Sequence, residues 1–211
     1  MRKEKICRWS FFIFGLIVFG LGIALTVEGK VIGIGPWDVF HYGLFLRIGL
    51  TIGTWNIIMG LLLLMVTFIA TKKLPKIGAF LNMLLIGLFT DFFIWLLPST
   101  NSVIGAVIFF SIGAVLMGVG TGIYMSAGLG SGPRDGIMLL IIGKTGWSIQ
   151  RVRSGMEVLV LLLGWALGGP VGIGTVIIAF LLGPVVGISL PKSKNLLKFL
   201  LDEKADNKLA V

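Results

Sequence analysis

Two stretches, GIGPWDVFHYGLFLR over residues 33–47 and GSGPRDGIMLLIIGK over residues 130–144, decide how this 211-residue chain is folded. Each opens with a Gly/Pro cluster and continues as an apolar helix of about a dozen residues, starting at Pro36 and Pro133. At a rise of about 1.5 Å per residue, such a helix covers about 18 Å, well short of a hydrocarbon core of about 30 Å. The first also carries Asp38, His41 and Arg47, which are costly against lipid. Both read as re-entrant segments that enter a membrane and leave by the face they came from.

The surroundings of these two stretches are those of a membrane chain. Hydrophobic residues make up 56% of the sequence and charged residues 13%, where a soluble domain carries about 25% charged residues; mean hydropathy is +1.04. An ordinary soluble enzyme of this length is excluded, as is a disordered tail. A single cysteine, Cys7, rules out a disulfide framework within one chain. Apolar runs near the length of a membrane span lie at about 10–27, 52–71, 77–97, 103–127, 154–168 and 171–190, the last interrupted by Gly183 and Pro184. The first run is longer than the apolar part of a signal peptide and is followed by no small-x-small cleavage site, so it is expected to remain as a helix. Beyond Lys192 the chain is polar, with Leu196–Leu201 expected as one short interfacial helix.

Basic residues set the orientation. With six crossings, two re-entrant segments and a cytoplasmic N-terminus, 16 of the 18 Lys and Arg fall inside, leaving Lys30 and Arg47 outside. Eight full crossings would place 13 inside and 5 outside, with the KKLPK loop at residues 72–76 on the wrong face. The six-crossing arrangement with both termini cytoplasmic is preferred. The +9 net charge therefore reports topology, and no nucleic-acid surface is expected.

The two deciding stretches are also copies of each other. Pro36 and Pro133 are 97 residues apart, as are Asp38 and Asp135, and Thr51 and Ser148; Gly20 and Gly118 are 98 apart, and Ile77 and Ile173 are 96 apart. The sequence thus divides into a basic N-terminus (1–9), a first repeat (10–98), a second repeat (99–191) and a basic tail (192–211). Each repeat holds a spanning helix, a half-helix and two more spanning helices. Three crossings per copy invert the second relative to the first, a plan common in transporters and channels. The expected fold is an all-α polytopic membrane protein of about six transmembrane helices plus two re-entrant half-helices, built as an inverted internal repeat.

The elements GIGPWDVFHYGL and GLTIGTWNIIMG in the first half, with GLGSGPRDGIMLLI in the second, resemble the YczE/YyaS/YitT type of bacterial membrane protein, from Phe14 to about Pro191. The resemblance implies an integral plasma-membrane protein of a bacterium, and some members of that type are linked to secondary-metabolite production. Arg134 stands where the first copy has Trp37, and Met138 where it has His41.

Gly35, Pro36 and Asp38, with Gly132, Pro133 and Asp135, place proline at the first helical position and a carboxylate at the third. Proline lacks an N–H that would be unpaired there anyway, and the carboxylate can accept from the free N–H groups of the first turn. Capping accounts for both aspartates; the functional counterpart is a small-solute site where two half-helix N-termini meet from opposite faces. Asp91, Glu157 and His41 are asymmetric between the copies and are the candidates for proton or ion coupling. Each has a structural alternative: a polar helix end for Asp91, an i,i+4 ion pair with Arg153 for Glu157, and a hydrogen bond to Asp38 for His41. Glycines at four-residue spacing (Gly118/Gly122, Gly164/Gly168, Gly183/Gly187) are expected at helix contacts.

No nucleophile triad, phosphate loop, metal-ligand cluster or cofactor motif is present, so neither an enzyme nor a cofactor is expected. The leading reading is a small-solute transporter or channel whose partners are the lipid bilayer and that solute. Its alternative is a non-transporting accessory or regulatory membrane protein acting on a partner, for example in secondary-metabolite production; the further partners to test are a second copy in a homo-oligomer and a membrane or cytoplasmic protein.

Overall fold

A computed structural model describes residues 2–100, 102–130 and 132–201. Among these the chain is helical throughout, with no strand: α1 Arg2–Glu28, α2 Pro36–Ile48, α3 Ile52–Thr71, α4 Ile77–Leu96, α5 Val103–Ser126, α6 Pro133–Thr145, α7 Ile149–Ala166 and α8 Ile173–Leu200, with a single 3-10 turn at Lys30–Ile32. The order long, short, long, long occurs twice, and α2 and α6 each contain 13 residues.

Five of these helices, α1, α3, α4, α5 and α8, are long and apolar enough to cross a membrane. The expected sixth, α7, has 18 residues but carries Arg151, Arg153 and Glu157. It also begins at Ile149 rather than near 154, because the Ser148 side chain accepts from the Arg151 N–H and caps a turn earlier than apolarity alone marks. Two further boundaries differ from expectation. The basic N-terminal segment is not separate from the first span: α1 begins at Arg2 and is stapled there by a Glu4–Arg8 ion pair at 3.0 Å. Helix α8 runs without a break through Pro184 and Pro191 and absorbs the expected interfacial helix at Leu196–Leu200. A proline removes one donor from the ladder, and a span flanked by apolar residues keeps the rest. Tail residues 202–211 lie outside the described residues.

The centre of the molecule is the crossing of α1 and α5, and it is made by glycines. A Cβ at Gly22 would sit 2.7 Å from the Met117 nitrogen, and one at Gly113 would sit 2.7 Å from the Gly22 carbonyl oxygen. A Cβ at Gly120 would lie 2.6 Å from the Phe19 nitrogen. Backbones approach this closely only where no side chain intervenes. Phe12 and Leu16, both fully buried, fill the space beside the crossing.

The four-residue glycine pairs divide. Gly118 and Gly122 do seat α8, meeting the Val185 Cβ at 2.6 Å and the Ser189 Cβ at 2.7 Å, while the Ser189 hydroxyl donates to the Gly118 carbonyl at 3.0 Å. Gly164 meets the Phe40 Cα of α2 at 2.6 Å, whereas its partner Gly168 follows α7 at φ +91°. Gly183 and Gly187 face open space and join no helix contact.

Packing crosses between the halves. Helix α2 lies against α7 and α6 against α3, so each short helix is held mainly by the other half of the chain. Helix α4 packs on α1 and α3, and α8 packs on α5; α7 and α8 do not pack along each other. Large apolar side chains such as Trp95 and Phe180 point outward, 79% and 78% exposed. A surface of that kind is covered by hydrocarbon in a membrane protein and would be a liability in water.

Candidate functional site

The two short helices α2 and α6 begin alike and are capped differently. Both have glycine before the first turn and proline at its start. At α6 the Asp135 carboxylate accepts from the Gly132 N–H at 3.1 Å, the expected cap. At α2 no side chain among the described residues caps the helix. Asp38 is 4% exposed and accepts no hydrogen bond among the described residues, which corrects the expectation that both aspartates act as caps.

A cavity of about 270 Å³ lies where the two starts face each other. It is lined by Gly35, Pro36 and Asp38 from one half-helix and by Gly132, Pro133 and Asp135 from the other, with His41 and Glu157 also on its wall. Of the nine residues singled out from the sequence, only Asp91 stands apart. Its carboxylate accepts from the Thr51 hydroxyl and, at 2.8 Å, from the Gly53 N–H, so it caps α3 from the neighbouring α4.

Across the cavity the Arg134 guanidinium lies over the Trp37 ring, 4.3 Å from its centroid. Arg134 Nη2 donates to Asn56 Oδ1 at 3.3 Å, and the Asn56 amide donates in turn to the Met83 carbonyl, also at 3.3 Å. The Arg134 side chain is thereby oriented by an indole face and one amide, and most of its five N–H donors stay uncommitted. Glu157 is paired with Arg153 at 3.2 Å. His41 is 2% exposed; it contacts the Trp37 and Phe40 rings and makes no hydrogen bond to Asp38.

Asn82 adds a further unmet donor. It is 3% exposed and lies beside Gly132, and its amide nitrogen has no hydrogen-bond partner among the described residues. Thr121 and Tyr124 also line it, and much of the remaining wall is soft and apolar: Met59, Met83, Met117, Met125, Met138 and Met156 all border the cavity. Methionine side chains are unbranched and polarizable and adapt to differently shaped apolar bodies. Helices α7 and α8 both line the cavity without packing on each other, so the gap between them forms one of its sides. No group of three or more metal-ligating side chains occurs among the described residues.

Sequence reasoning passed over Asn56, Asn82 and the role of Arg134. The signal was present for the two asparagines, each a lone amide inside an apolar span (TWNIIMG and FLNMLLIG), where a polar side chain points to a functional or packing role. That Arg134 reaches Trp37 follows only from the crossed packing of the halves.

Comparison with known proteins gives one family and several relatives. Residues 6–191 match the family described as "Family of unknown function (DUF6198)". The chain is 51% identical to the uncharacterized membrane protein YczE of Bacillus subtilis (strain 168), over 94% of this chain and 93% of that protein. It is 31% identical to YyaS of the same organism, over 87% and 92% of the two chains, and 36% identical to a protein of Haemophilus influenzae, over 84% and 80%. No solved structure matches the chain. With several helices long and apolar enough to span a bilayer and a family match covering most of its length, the chain is a multi-pass membrane protein and belongs to the DUF6198 family.

Proposed function

We propose that this protein is a small-solute transporter or channel of the bacterial plasma membrane, with its solute site in the cavity between the two re-entrant half-helices. The observation that carries the reading is the convergence of both GxGPxD starts on one cavity with unmatched buried polar groups. Irregular backbone and charge at membrane depth are tolerated where they line such a space.

The inverted repeat is part of the same proposal. Trp37 and Arg134, 97 residues apart, stack on each other. Met59 and Met156, with the same separation, both line the cavity, as do Asn56 and Arg153. Equivalent positions meet where two copies face each other across an axis, and solute sites of inverted-repeat transporters lie at that place. In this arrangement there are six crossings and both termini are cytoplasmic. The solute leaves in the form in which it entered, so no chemical step is assigned.

Flux measured in proteoliposomes containing the full chain tests the proposal. Solutes are offered as a mixed metabolite extract, and uptake is compared with vesicles lacking protein. Uptake that Arg134→Gln abolishes is the expected result. If no solute enters and truncation after Leu201 abolishes the cellular effect of the protein, the accessory alternative replaces transport.

A further inference from the structure

Among the described residues, the charges lining the cavity are three carboxylates, Asp38, Asp135 and Glu157, and two guanidiniums, Arg134 and Arg153. Three of these five are already engaged: Asp135 holds the Gly132 N–H, and Glu157 and Arg153 hold each other. Asp38 and Arg134 remain, one buried without a hydrogen bond and the other with most of its donors free, and no ion pair joins them among the described residues.

From this we infer that the cavity binds a zwitterion: a small amino-acid-like molecule whose ammonium meets Asp38, whose carboxylate meets Arg134, and whose apolar body lies on the methionine wall. The assignment rests on the solute site proposed above and names the class of solute it takes. Asp38 and Arg134 attract each other across the cavity but do not touch, and a buried charge whose hydrogen-bonding capacity is unmet is costly, so each calls for a partner of opposite sign between them. A pure anion would satisfy Arg134, leave Asp38 unmatched and add a fourth negative charge to a wall that already has more carboxylates than guanidiniums. A pure cation would satisfy Asp38 and offset the excess negative charge of the wall, but would leave the Arg134 donors unmet. Only a molecule bearing both signs matches both groups and leaves the charge balance of the wall unchanged. Bidentate carboxylate recognition is a habit of arginine, and the Trp37 face and the Asn56 amide hold this arginine ready for it. Asn82, beside Gly132 and the Tyr124 hydroxyl, has an amide nitrogen with no close acceptor among the described residues and adds a donor to the cavity wall. The volume of about 270 Å³ is at the small end for ligand sites, which limits the solute to the size of a single amino acid.

The test is calorimetric titration of the full chain in detergent with leucine, methionine and phenylalanine, and with the N-acetyl and methyl ester forms of each. The expected result is binding of at least one parent amino acid, with each blocked form at least about tenfold weaker. Asp38→Asn should bring the N-acetyl form level with its parent, and Arg134→Gln should do the same for the ester. N-acetyl forms that bind the unaltered protein as well as their parents would overturn the inference in favour of an anion site. Esters that do so would overturn it in favour of a cation site, and no binding in the whole series overturns it outright. The proposed function fails separately. Uptake of other solutes without zwitterion binding leaves transport standing and removes this assignment, whereas zwitterion binding without uptake leaves the site and removes transport.

Discussion

Asp38 and Asp135 occupy matching places in two copies of one motif, yet they differ in what they hold. Asp135 accepts from the Gly132 N–H at 3.1 Å, so Asp135→Ala should lower stability by about 0.5–2 kcal/mol, the usual cost of losing a cap. Asp38 has no such bond, and Asp38→Asn should leave the melting temperature in detergent unchanged or raised, because no hydrogen bond is lost and relief of the buried charge outweighs the lost attraction to Arg134. Thermal unfolding of the two variants side by side checks the contrast, and equal losses would show that Asp38 also caps. Asp91 calls for a third variant. Because its carboxylate holds Thr51 and the Gly53 N–H, Asp91→Ala should destabilise the start of α3 while solute binding per folded molecule stays at the level of the unaltered protein. A loss of binding without a loss of stability would instead place Asp91 among the coupling residues. The sequence exposed all three carboxylates as unusual in an apolar chain. It could not separate Asp38 from Asp135, since a free and a capping aspartate have the same residue type at the same helix position and differ only in where a carboxylate rotates.

Among the helices, glycine has two opposite uses that spacing alone does not distinguish. In α1 and α5 it marks contact: Gly22 faces Gly113 and Met117 at distances that leave no room for a methyl group. Gly22→Leu should therefore separate the two central helices and yield little folded protein in detergent, measured by size-exclusion profile. At Gly187 in α8 it marks the absence of contact, since nothing lies within 4 Å of a Cβ there. Gly187→Ala should be tolerated and should stabilise the helix by up to about 1 kcal/mol, the propensity difference between the two residues. Both glycines belong to small-residue patterns in the sequence, and only the course of the neighbouring helix decides which use applies. Apolar length, by contrast, located α3, α4 and α5 within a residue or two of their ends, because a bilayer demands the same length of every span. It failed where polar and charged residues continue a helix, as at Arg2–Arg8 in α1 and Ile149–Arg153 in α7, since hydropathy reports the solvent of a segment and says nothing of its hydrogen bonding.

The whole molecule is less symmetric than its element order. Helix α4 packs along α3, whereas α8 packs on α5 and leaves a gap beside α7. If the halves are inverted copies that exchange conformations during transport, the state with the gap on the α3–α4 side must also be populated, because each copy can adopt the arrangement of the other. Met65 and Phe80 lie on α3 and α4 and border a common groove. Their counterparts are Leu162 on α7, 97 residues on, and Val176 on α8, 96 residues on. All four side chains are at least 45% exposed and accept a spin label without disturbing the core. In lipid vesicles the Met65/Phe80 pair should show a major short distance and a minor long one, and the Leu162/Val176 pair the reverse. Addition of a bound solute should move the two populations in opposite directions. A single unchanging distance for each pair, with and without solute, would mean that the gap beside α7 is a fixed feature, and the protein would then be a channel or a scaffold rather than an alternating-access carrier.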